Sequence, residues 1–95
     1  MMHMAKVQVF ISGFVQGVGF RAFVKKSALK IGVKGWIRNL RDGRVEAILQ
    51  GEKDVLVKLI QLCKKGPFLS EVKSIEVFWN KNDNEKFFEG FEIIR

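Results

Sequence analysis

The chain predicts an α+β fold of the split βαβ, ferredoxin-like kind: an antiparallel sheet with two helices packed on one face, plus a short C-terminal strand. Three observations predict it. Apolar residues alternate with period two over residues 6–12 and 72–79, but recur at spacings of three and four over residues 20–31 and 55–63. An Asp42-Gly43 pair separates two strand-like runs between the helical stretches. No repeat or linker divides the chain, and its length suits one core. Residues 1–95 therefore read as a single domain, with residues 1–4 as a frayed terminus.

The first strand alternates Val7, Val9 and Ile11 with Lys6, Gln8 and Ser12, and Phe10 faces the second side. Glycines 13, 17 and 19 then break the chain into a turn before a helix at residues 20–31. Phe20, Phe23, Val24, Ala28 and Ile31 form that helix's apolar stripe, and Gly32 is placed to end it in a left-handed conformation. Residues 35–41 and 44–50 read as two antiparallel strands joined by Asp-Gly in a type I′ turn, in which both central residues need positive φ. Residues 51–54 open a second helix, with Val55, Leu56, Leu59, Ile60 and Cys63 on its apolar side. Lys64, Lys65, Gly66 and Pro67 close it. Residues 72–79 form a strand, 80–86 a polar loop and 90–94 a short closing strand.

Composition narrows the function classes. No apolar run approaches the roughly 20 residues of a membrane span. The opening Met1-Met2-His3-Met4 lacks the apolar region of a signal peptide, so the expected location is cytoplasmic. The single cysteine, Cys63, rules out an internal disulfide and reads as a small buried hydrophobe. With one Cys and one His (His3), no zinc-type ligand set can be assembled, and Cys63 has no nearby base to make it a nucleophile. The net charge of +7 favours anionic ligands, which phosphorylated substrates and nucleic acids both satisfy.

Function turns on the stretch Gly13-Phe14-Val15-Gln16-Gly17-Val18-Gly19-Phe20-Arg21. A glycine-broken turn at a helix N-terminus gathers unpaired amides and the positive end of the helix dipole around one point. Arg21 adds a planar fork of donors suited to phosphate. Three readings compete. Gly17-x-Gly19-x-x-Ala22 matches a dinucleotide fingerprint, but a hairpin follows where a parallel βαβαβ half is required. Gly17 to Val24 has a passing likeness to an RNA-recognition motif. There the aromatics alternate along a strand, whereas Phe20, Phe23 and Val24 here have helical phase and point inward. Single-stranded RNA binding stays as the rival, on charge. The third reading is a phosphate cradle with hydrolytic chemistry.

The third reading carries a resemblance. Gly13-x-Val15-Gln16-Gly17-Val18-Gly19-Phe20-Arg21 resembles the first signature of the acylphosphatase family. Gly35-Trp36-Ile37-Arg38-Asn39-x-x-x-Gly43-x-Val45 followed by Gly51 resembles the second, with Ile37 where the family more often has a smaller residue. Gly66-Pro67 and Phe91-Glu92-Ile93 extend the likeness over nearly the whole chain. The resemblance implies a small, metal-free and cofactor-free hydrolase of carboxylic–phosphoric mixed anhydrides. It implies phosphate binding by Arg21 and orientation of the attacking water by Asn39, one strand away. The backbone of Gln16, Gly17, Val18, Gly19, Phe20 and Arg21 would form the cradle.

Chemistry agrees with such a site. The leaving carboxylate has a conjugate acid of pKa about 4 to 5 and departs without a general acid. The protein then needs only to hold the phosphoryl group, absorb charge and place a water in line. A phosphate oxygen of the substrate can take the water's proton. Taken singly, Arg21 reads as a solvated first-turn charge and Asn39 as a turn residue; two matched signatures reverse that reading. Trp36 and the phenylalanines read as core, and Arg38, Arg41 and Arg44 as solvated charges that steer anions. The expected partners are an acyl phosphate and inorganic phosphate as product or inhibitor, with the protein a monomer. An accessory domain without turnover is the remaining alternative, against which the free-standing length argues.

Overall fold

The computed structural model describes residues 4–79 and 88–95. The elements follow in the order β1 (Met4–Phe14), α1 (Phe20–Ile31), β2 (Lys34–Asn39), β3 (Val45–Glu52), α2 (Lys53–Lys65), β4 (Glu71–Trp79) and β5 (Phe91–Ile93). They build one five-stranded sheet in the order β4-β1-β3-β2-β5. β1 is antiparallel to both β3 and β4, β2 is antiparallel to β3, and β5 lies parallel to β2. This is the predicted ferredoxin-like arrangement, with the terminal strand on the β2 edge.

That topology sets up the site. β1 and β2 are parallel to each other because both run against β3. Their C-terminal ends therefore share one end of the sheet, which gathers the β1–α1 turn, Asn39 and the end of β5. A right-handed crossover through α1 leaves a slot between β1 and β2, and β3 fills it. Asn39 thus stands two strands from β1 rather than one.

Strand alternation decides which face each side chain takes. Val7, Val9 and Ile11 of β1 are fully buried, as are Val45 and Leu49 of β3 and Ile37 of β2. They meet Phe20, Val24 and Ala28 of α1 and Leu56, Leu59, Ile60 and Cys63 of α2 in one cluster. The two helical stripes read from the sequence are the stripes that pack, because each helix can bury only one side against the sheet. Gly32 caps α1 in the left-handed conformation, its N–H and that of Val33 both donating to the Ala28 carbonyl.

Several boundaries and side-chain placements differ from expectation. Met4 is already in β1, paired with Glu52, so the strand takes up a residue expected to fray. Residues 1–3, including His3, and the expected polar loop at 80–86 lie outside the described residues. β1 runs on past Ser12 through a register shift, pairing Gly13 with Val72 and Phe14 with Glu71, so the glycine turn begins later. β3 keeps Gly51 and Glu52, since both still pair with β1, and α2 begins at Lys53.

The Asp-Gly turn is also of a different type. Leu40 N–H donates to the Arg44 carbonyl (2.8 Å) and Gly43 N–H to the Leu40 carbonyl (3.2 Å). Among the described residues no non-glycine residue has positive φ, so Asp42 does not, while Gly43 has φ 97°. The connection is a type I turn closed by a glycine bulge, in which one residue of positive φ suffices. Asp42 stabilises it from outside: Oδ1 accepts from Arg44 N–H (3.0 Å) and Oδ2 from Arg44 Nε (2.9 Å).

Trp36 and most phenylalanines are not core. Trp36 shares the parity of Arg38, opposite to buried Ile37, and so lies half-buried on the helix-free face. Phe10 and Phe78 share that face, edge to face at 6.0 Å. Phe14, Phe68 and Phe78 are exposed, and of the described phenylalanines Phe20 and Phe91 are buried. Arg38 and Arg44 are not free solvated charges. Arg38 Nε pairs with Glu46 (2.8 Å) and its guanidinium lies 5.4 Å from the Trp36 ring, while Arg44 covers Phe10 at 4.8 Å.

Candidate functional site

The site forms where β1 ends and α1 begins. Val15 is buried and pins the chain to the core, so the residues after it, which adopt no regular structure until Phe20, turn over the top of the sheet. Gly19 is the N-cap residue of α1, at φ 79° and ψ 15°, and no side chain caps the helix. An added Cβ there would meet nothing within 4 Å, so the requirement for glycine is conformational and not spatial. Among the described residues no backbone N–H from Gln16 to Ala22 donates to a backbone carbonyl; Phe23, donating to Gly19 (3.0 Å), is the first. The first turn of α1 holds no acidic side chain to answer the dipole. These are the conditions for an anion site.

A cleft of about 160 Å³ opens here, lined by Val15, Gly17, Gly19, Phe20, Arg21, Ala22 and Ile93. Four of the residues expected in the cradle, Gly17, Gly19, Phe20 and Arg21, therefore share one cavity. Gln16, Val18 and Asn39 lie outside its lining. Arg21 is half-buried and pairs with no carboxylate among the described residues, which leaves its fork of donors for a ligand. Phe20 lines the cleft from its floor, since the residue is almost wholly buried in the core.

Asn39 ends β2 with the parity of Gly35 and Ile37, and it pairs with Val45, whose side chain is buried on the helix-covered face. Its side chain is thus on the same side of the sheet as α1. Its Oδ1 is buried and has no hydrogen-bond partner among the described residues. A buried, unpaired acceptor costs about 1–3 kcal/mol, so such an atom calls for a functional account.

Two participants were not read from the sequence. Ile93 brings an apolar wall to the cleft because β5 runs parallel to β2 and ends at the same edge. The parallel pairing of a three-residue terminal strand leaves no local signature, although its apolar pattern was visible. The Gln16 side chain is the other: Nε2 donates to the Leu40 carbonyl (2.8 Å) and to the Arg44 carbonyl (2.9 Å). Asp42 lies at the rim of the same hairpin, and the Arg44 backbone N–H beside it holds its carboxyl below the usual carboxylate range. No group of three or more His, Cys, Asp or Glu suited to a metal ion occurs among the described residues. No helix among them is long and apolar enough to cross a membrane.

A sequence model of the acylphosphatase family matches residues 7–93. An acylphosphatase of Roseiflexus sp. (strain RS-1) is 48% identical over 94 residues, covering 99% of each chain. One of Chloroflexus aurantiacus is 48% identical over 80 residues, 84% of this chain and 87% of that one. The crystal structure of acylphosphatase from Bacillus subtilis superposes with a TM-score of 0.90 at 33% identity, covering 96% of this chain and 99% of that one. The chain also matches 12% of the much longer full-length HypF structure, with a TM-score of 0.85 at 28% identity. The family match spans both glycine-bearing segments and runs from within β1 to the last residue of β5. The chain belongs to the acylphosphatase family, whose activity is the hydrolysis of acyl phosphates.

Proposed function

We propose that this single domain hydrolyses the carboxyl–phosphate bond by in-line attack of a water oriented by Asn39 on a phosphoryl group held by Arg21 and the backbone of Gln16 to Arg21. The observation that carries the reading is the uncapped, glycine-preceded N-terminus of α1 with Arg21 in its first turn and no acidic side chain there. The N–H groups and the guanidinium would take the equatorial phosphoryl oxygens and absorb charge in the transition state. As the water oxygen bonds to phosphorus, the P–O bond to the acyl group breaks and its electron pair leaves with the carboxylate. The water's proton passes to a phosphoryl oxygen.

Asn39 suits the orienting role because its amide carries both a donor and an acceptor. Its Oδ1 has no hydrogen bond to hold it, so the amide can turn toward a water once the phosphoryl group arrives. Cleavage of so activated a bond needs no acid–base pair and, in this reading, no metal or cofactor. The products are a carboxylate and inorganic phosphate, and phosphate would compete for the cradle. The reading places the protein in the cytoplasm as a monomer.

The helix-free face bears on nucleic-acid binding, since Phe10, Trp36 and Phe78 stand there beside arginines. Arg38 and Arg44 are already paired with Glu46 and Asp42, and Arg44 covers the Phe10 ring. Neutralised cations and an occupied ring argue against a stacking surface for single strands.

The test is hydrolysis of benzoyl phosphate in the presence of EDTA. Activity is expected to survive the chelator and to be inhibited by inorganic phosphate. Arg21→Gln should lower kcat/KM by about 10²–10³-fold and weaken phosphate inhibition, with the circular dichroism unchanged. Wild-type turnover in that variant would refute the assignment of Arg21.

A further inference from the structure

We infer that the Gln16 side chain is a positioning residue: it locks the phosphate cradle to the β2–β3 hairpin and so fixes the distance between the cradle and Asn39. The inference rests on the reading of Asn39 given above and adds a residue to it.

Gln16 stands where β1 gives way to the turn before α1. Its backbone is the first residue of the cradle, directly after buried Val15. Its side chain leaves the cradle and donates both hydrogens of Nε2 to the other half of the site, one to Leu40 (2.8 Å) and one to Arg44 (2.9 Å). Leu40 is the residue after Asn39, so the clamp grips the chain one peptide away from the proposed water-orienting amide. These are bonds across 24 and 28 residues of sequence, and both are partly shielded from water.

The hairpin's shape makes this grip possible. The glycine-bulge turn already uses one lone pair of each carbonyl: Leu40 accepts from Gly43 and Arg44 accepts from Leu40. Each carbonyl has a second lone pair. Gln16 takes both, and the amide group of one side chain closes a set of four hydrogen bonds around the turn. A tight two-residue turn between positions 41 and 44 would not arrange Leu40 and Arg44 in this way. A side chain needed only to keep the cradle folded could take carbonyls from β1 or α1; this one reaches across to the Asn39 element.

β3 separates β1 from β2, so the cradle and Asn39 have no direct strand ladder between them. Their relative placement depends on what bridges the top of β3, and Gln16 is such a bridge. An error of about 1 Å in placing a reacting group can cost on the order of 10²-fold in rate.

The test is a double-mutant cycle on benzoyl phosphate hydrolysis with Gln16→Met, which keeps the length of the side chain and removes its donors. Alone, Gln16→Met is expected to lower kcat between about ten- and a hundredfold while the inhibition constant of inorganic phosphate moves less than about threefold. In an Asn39→Ala background the same change should lower kcat by less than about threefold, because the group it positions is gone. Additive losses, unchanged kcat, or phosphate affinity falling in step with kcat would each overturn the clamp. If Asn39→Ala itself leaves kcat intact, the water-orienting reading fails first and takes the clamp with it. Gln16→Glu gives an independent readout, since its carboxylate faces two carbonyl oxygens when charged but can donate one hydrogen bond when protonated. The ratio of its kcat to that of wild type should rise as pH falls; a flat ratio contradicts the proposal.

Discussion

At the scale of single residues, side chains of one chemical type divide sharply by setting. Arg38 and Arg44 spend their charge on Glu46 and Asp42, whereas Arg21 has no carboxylate partner among the described residues and faces the cleft. Nothing in the composition separates these three arginines. The signature around Arg21 did so, and the pairing of Arg38 with a nearly buried Glu46, which also accepts from Gln8 (2.8 Å), became visible only with the register of β1, β2 and β3. Cys63 shows the opposite case, a residue whose setting was legible from helical phase alone. Burial pushes its thiol up to about 12, since the thiolate would lose its hydration among apolar neighbours. A thiol-disulfide reagent at pH 8 should therefore modify the native protein far more slowly than free cysteine, and at the free-cysteine rate in denaturant. A native rate matching free cysteine would place Cys63 at the surface.

At the scale of elements, the sequence is most readable where one periodicity runs for a full helix or strand. α1 and α2 pack on the stripes their spacing defines, and β1 buries its odd-numbered residues from Val7 to Ile11. Ends are less readable because competing partners decide them. Glu52 could enter α2 but pairs with Met4 in β1, and Gly13 could open the turn but pairs with Val72. The hairpin differs for a related reason: Asp-Gly permits a type I′ turn, while the Asp42 carboxylate bonds to Arg44 favour the type I turn with its glycine bulge. Phe20 belongs to both core and cleft at this scale, since it anchors the first turn of α1 in the core and is also one of the residues lining the cleft. Phe20→Ala should destabilise the fold by about 3–5 kcal/mol, read from denaturant unfolding, and should also weaken phosphate inhibition as the helix start loosens. Destabilisation of that size with phosphate affinity intact would show that the cradle holds its shape without that anchor.

For the whole molecule, topology assembles the site. Parallel β1 and β2, held apart by β3, bring the ends of two segments with unrelated local patterns to one edge of the sheet, and β5 adds Ile93 there. The order of elements predicted this convergence, but it did not reveal that β3 intervenes or that Gln16 spans the gap. Long-range side-chain bonds leave no periodic trace in a sequence. In the proposed mechanism the same architecture separates two tasks, holding the phosphoryl group at the β1–α1 turn and placing the water at the end of β2. The most direct measurement of that division is steady-state hydrolysis of benzoyl phosphate by Asn39→Ala, with inorganic phosphate as competitive inhibitor. A fall in kcat of about 10²-fold or more is expected, with the phosphate inhibition constant within about threefold of wild type. A parallel loss of kcat and phosphate affinity, or no loss of kcat at all, would contradict it.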